Sequence, residues 1–69
     1  MIVEGVVETF DERRGDGIIH SDRGEQLYFH CVSIADGTRR IDPGARVRAQ
    51  RRVGHVGRDE VVDVMRVND

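Results

Sequence analysis

The chain has 69 residues, 35% of them charged, with a formal net charge of −2 and a single cysteine. These values leave room for one domain spanning 1–69, exclude an intramolecular disulfide, and provide no global electrostatic pull toward a polyanion. No run of 18 apolar residues occurs, and the start Met1-Ile2-Val3-Glu4 lacks a basic stretch followed by an apolar one. Neither a membrane span nor a signal peptide is expected, and a cytoplasmic location is. The lone thiol, Cys31, suits a reducing compartment.

Glycines punctuate the chain at short intervals, with β-rich segments between them, a rhythm that predicts an all-β barrel or sandwich. The first strand is expected over about Ile2–Phe10. There Val3, Gly5 and Val7 alternate with Glu4, Val6 and Glu8. A polar turn, Asp11-Glu12-Arg13-Arg14-Gly15, leads to a second strand over Gly17–His20, and Ser21-Asp22-Arg23-Gly24 turns the chain again. The third strand, Gln26–His30, puts Leu27 and Phe29 on one face and Tyr28 and His30 on the other.

A longer connection runs from Cys31 to Gly44. Val32-Ser33-Ile34 can form one helical turn there, and Asp42-Pro43-Gly44 is a turn signal. The fourth strand, about Ala45–Val53, faces Val47, Ala49 and Val53 inward and Arg46, Arg48, Gln50 and Arg52 outward. A turn at Gly54-His55-Val56-Gly57 precedes the last strand, Glu60–Val67. Five strands with one long connection after the third predict a five-stranded antiparallel Greek-key barrel of OB-like type.

The order of motifs resembles the cold-shock domain family. That pattern opens with a strand ending W-F-[ND], continues through K-G-[FY]-G-F-[IV], and reaches [VL]-F-[VF]-H-[FYT]. Here the chain reads Glu8-Thr9-Phe10-Asp11, Arg14-Gly15-Asp16-Gly17-Ile18-Ile19 and Leu27-Tyr28-Phe29-His30-Cys31. Val32-Ser33-Ile34, Ile41-Asp42-Pro43-Gly44 and Val61-Val62-Asp63-Val64 resemble the later family features, so the likeness covers essentially the whole chain.

The resemblance implies a single-stranded RNA- or DNA-binding module. In that family, rings on the outer face of the first three strands stack bases while basic residues hold phosphates. Carried over position by position, Tyr28 and His30 would stack bases. Phe10 would stack or support the platform from beneath, Arg14 would contact a phosphate with Arg13 as helper, and Ile18 would lie on the same face.

The departures are as informative. Thr9 stands where the family has tryptophan, and Asp16 and Ile18 stand where it has phenylalanine. Cys31 replaces an aromatic, and Thr38 falls where the long loop carries another. Base stacking contributes roughly 1–3 kcal/mol per base, so losing two stacks weakens binding by about 2–6 kcal/mol if they act independently. Asp16 also brings a carboxylate to where a polyanion would lie. The expected activity is therefore weakened or altered binding, as an RNA chaperone or a modulator of transcription or translation.

The alternative is a protein-interaction or dimerisation module on the same fold, with a homodimer as its simplest form, because Ile18 and Cys31 make the face more aliphatic. All 11 cations are arginine, which forks onto phosphate and stacks on rings. On strand four they also read as ordinary surface charges paired with carboxylates.

Three other signals carry little. Arg14-Gly15-Asp16 spells an adhesion tripeptide of a length that recurs by chance. His20, His30, His55 and Cys31 lack the spacing of a metal site, and His30 and Cys31 are expected to point to opposite faces. No nucleophile with a base, and no phosphate loop, points to an enzyme or a cofactor.

Overall fold

A computed structural model describes residues 1–53 and 59–67, the side chain of Val53 excepted. The strands are β1 (Ile2–Asp11), β2 (Asp16–Ser21), β3 (Gln26–His30), β4 (Arg46–Val53) and β5 (Asp59–Arg66), with a 3-10 turn at Cys31–Ser33 after β3. Each lies within two residues of its expected bounds. The expected turn at Gly54-His55-Val56-Gly57, the role of His55 and the direction of the Val53 side chain fall outside the described residues.

The strands close into a barrel in the order β1-β2-β3-β5-β4. The expectation of antiparallel pairing holds for four neighbours and not for the fifth, since β3 and β5 run parallel through Tyr28 and Glu60. Directions can alternate all the way round a closed ring only when the number of strands is even. Five strands force one parallel contact, and among the described residues it is a single bridge.

Alternation places Val3, Val7, Ile19, Leu27, Phe29, Val47 and Ala49 inside the barrel. Ile34 and Ile41 from the long connection are buried with them. Two bulges break the simple pattern. In β1, Val7 pairs with Ile19 and Thr9 with Ile18, so Glu8 is the extra residue. In β5, Arg48 faces Met65 and Gln50 faces Val62, with Asp63 at φ 54°. The second bulge turns both Val61 and Val64 inward although three positions separate them.

Gly17 is required by close packing. A side-chain carbon there would lie 2.9 Å from the Phe29 ring and collide with the Thr9 carbonyl. Phe10, the register partner of Gly17, turns toward the core after the bulge and stacks on Phe29 with ring centroids 5.9 Å apart and 17° between planes.

Outside the barrel, the β4 arginines pair with carboxylates. Arg46 forks onto Asp22 at 2.9 and 2.5 Å, Arg48 reaches Glu4 at 3.3 Å, and Arg52 reaches Glu60 at 3.1 Å. Arg51, in step with Val47 and Ala49, sits half-buried at the barrel end and bridges Glu25 and Asp59. The surface-charge reading of strand four therefore describes this set, and such exposed pairs contribute little to stability.

Three aspartates are held below the usual carboxylate range. For Asp11 the cause is the backbone N–H groups of Arg14 and Arg13, for Asp22 the Arg46 fork, and for Asp36 the backbone N–H of Thr38. A carboxyl with a lowered folded-state pKa stabilises the fold above its unfolded value, and that contribution is lost as pH falls through the folded value. Thermal melts followed by circular dichroism should therefore hold a plateau near neutrality and decline below about pH 4. A midpoint that stays constant down to about pH 2 contradicts this.

Candidate nucleic-acid interface

The outer face of β1–β3 is built in three rows set by strand register. Val6, His20 and Gln26 form the first, Thr9, Ile18 and Tyr28 the second, and Asp11, Asp16 and His30 the third. In the first row Glu8 accepts from Gln26 Nε2 at 3.1–3.2 Å and lies 3.3 Å from His20 Nδ1.

The middle and third rows meet at Asp16. Its Oδ2 accepts from the Tyr28 hydroxyl at 3.1 Å, and its Oδ1 accepts from Arg14 Nε at 3.0 Å. The Asp16 side chain keeps 17% of its exposure, against 71% for Arg14. The carboxylate the sequence places on this face is thus not a bare charge. It is matched by a guanidinium and a phenol, and that hydrogen bond also holds Arg14 more firmly protonated than a free arginine.

Of the expected site residues, Arg14, Ile18, Tyr28 and His30 share this face, with Tyr28 and Ile18 half-buried and His30 exposed. Arg13 is exposed beside Arg14 in the β1–β2 turn and makes no ion pair among the described residues. Phe10 is brought beneath the platform through its Phe29 stack. Thr9, in the row where the family pattern has a ring, is exposed next to Ile18.

Cys31 departs from the strand pattern. The strand ends at His30, so alternation stops there and the cysteine opens the 3-10 turn. Its side chain packs against the core cluster while its Sγ stays 3.8 Å from Nδ1 of the exposed His30. His30 caps that turn, with Nδ1 accepting the Val32 N–H at 3.3 Å, so a neutral ring carries its proton on Nε2. No group of three or more potential metal ligands occurs among the described residues.

Thr38 donates to the Arg40 carbonyl at 3.0 Å within the long connection. Arg40 is tied to Glu12 at 2.8 Å, which draws this loop against the β1–β2 turn. Sequence reasoning missed two contributors, Asp16 as the hub of the platform and the Glu12–Arg40 tie. The signal available for the first was its place between Arg14 and the Tyr28 strand.

No family model and no curated protein sequence matches this chain. Among solved structures, "drosophila Unr CSD456", a set of cold-shock domains, superposes on 99% of the chain with a TM-score of 0.79 at 20% sequence identity. The chain has the cold-shock fold. It spans 27% of that solved chain's length. At this identity the likeness shows the fold alone, while the platform's chemistry rests on this chain's own residues. No described helix is long and apolar enough to cross a membrane.

Proposed function

We propose that this barrel binds single-stranded nucleic acid, RNA or DNA, with weakened or altered affinity, and acts by binding rather than by catalysis. The observation that carries the reading is the half-buried Tyr28 ring on the outer face of β1–β3, with Arg14 and His30 on that face and Arg13 beside Arg14. A base stacks on the ring, and the turn arginines take backbone phosphates. The cold-shock fold adds support, because the motifs quoted above imply the same face.

Affinity is limited for physical reasons. Thr9 and Ile18 complete the Tyr28 row without rings, and the β4 arginines Arg46, Arg48 and Arg52 are committed to carboxylates. Weak, sequence-tolerant binding of this kind suits a chaperone that keeps strands unpaired, or a modulator of transcription or translation.

Tyr28 is the single tyrosine and the chain has no tryptophan, so its emission reports on the platform. Titrating RNA and DNA oligonucleotides at low salt should change that emission, and added salt should reverse the change. Constant emission together with no electrophoretic shift overturns the proposal. Sedimentation at micromolar concentration tests the competing dimerisation reading.

A further inference from the structure

We infer that the Arg14 guanidinium and the Tyr28 hydroxyl form a subsite for a backbone phosphate, which Asp16 fills from within when nucleic acid is absent. The inference rests on the binding reading above and adds a determinant of its affinity.

The geometry is that of an anion site already occupied. Two donors from different elements, one in the β1–β2 turn and one on β3, converge on the two oxygens of one carboxylate at 3.0 and 3.1 Å. A phosphodiester presents the same pattern, two non-bridging oxygens on one centre with a single negative charge. Arginine forks and phenols serve carboxylate and phosphate alike. The occupant is largely covered, whereas Arg14 stays largely open, so the cation is the partner free to turn toward an arriving strand.

In the free chain the Arg14–Asp16 pair is neutral and offers a polyanion little. Binding at this point exchanges an internal anion for an external one. The carboxylate then sits close to the phosphate that displaced it, and the exchange returns less than a free arginine would.

The test compares four chains: wild type, Asp16→Asn, Arg14→Ala and the double variant. Each is checked for an unchanged melt and then titrated with a uniform single-stranded oligonucleotide at several salt concentrations. Asp16→Asn keeps the shape and removes the charge. It should tighten binding by about fivefold to tenfold and steepen the salt dependence by roughly 0.7, the value of one added phosphate contact on a single strand. Arg14→Ala should weaken binding by about twofold in wild type and by about tenfold in the Asp16→Asn chain, because only there is the arginine freed of its closer carboxylate, with Asp11 left at 3.9 Å. Asp16→Ser, which also shortens the side chain, should act in the same direction as Asp16→Asn.

Nucleic-acid binding that Asp16→Asn does not tighten, or equal Arg14→Ala losses in both backgrounds, overturns the subsite and leaves the binding reading standing. Absence of binding in all four chains overturns both.

Discussion

Phe29→Ala is expected to unfold the barrel at room temperature. Phe29 is 0% exposed and is the largest side chain in the core. The other core residues are aliphatic and smaller, and Phe10, the one ring in contact with it, is anchored on β1 at the edge of the core. Gly17 packs directly on the ring and has no side chain with which to fill a gap, and Phe10 would lose its stacking partner. Truncating a buried phenylalanine to alanine costs about 3–5 kcal/mol. At roughly 0.05–0.15 kcal/mol per residue, a domain of this length holds about 3–10 kcal/mol in total. The single cysteine rules out a disulfide within the chain that could offset the loss. Loss of the far-ultraviolet β signal, or urea unfolding with no native baseline, is the expected readout. Phe29→Leu, which retains most of the volume, should fold with a lowered midpoint. A Phe29→Ala chain as stable as wild type would mean that the core does not depend on this ring.

What the sequence made legible is the part of the fold governed by period-two alternation. Val3, Gly5 and Val7 in β1, Leu27 and Phe29 in β3, and Val47 and Ala49 in β4 all lie inside as their spacing requires. Alternation fails where the backbone inserts a residue. Phe10 turns inward because Glu8 is extra, and Val61 and Val64 share a face because of the bulge at Asp63. Neither insertion changes the hydrophobic count of a window, so periodicity cannot detect it. The 3-10 turn after His30 likewise ends alternation at Cys31, whose sulfur stays beside His30 while its side chain packs against the core cluster.

The charges obey a different limit. Composition reports eleven cations, but their availability depends on pairs such as Arg48 with Glu4, 44 positions apart, which only the barrel register brings together. Arg14 is the functional instance. Its guanidinium is legible as a phosphate contact from the motif, and its engagement by Asp16 is local, two positions along the β1–β2 turn, whereas the Tyr28 hydroxyl reaches the same carboxylate only through the β2–β3 pairing.

Tyr28→Ala is expected to reduce oligonucleotide affinity by about fivefold to 150-fold, the equivalent of roughly 1–3 kcal/mol for one stacked base. The ring has no substitute on its row, since Thr9 and Ile18 offer no π face and Phe10 is stacked below on Phe29. The variant also removes the phenol from Asp16, leaving that carboxylate its contact with Arg14. The loss should therefore exceed that of Tyr28→Phe, which keeps the π face and removes only the hydroxyl. Fluorescence is lost with the tyrosine, so the measurement is anisotropy of a labelled oligonucleotide, at one fixed salt concentration for all chains. The melt should show the barrel intact, because Tyr28 faces outward and is only half-buried. If Tyr28→Ala binds as tightly as wild type, bases do not stack on this ring, and the contact surface lies elsewhere on the barrel. If Tyr28→Phe loses as much as Tyr28→Ala, the hydroxyl carries the contact, and the residue serves the phosphate more than the base.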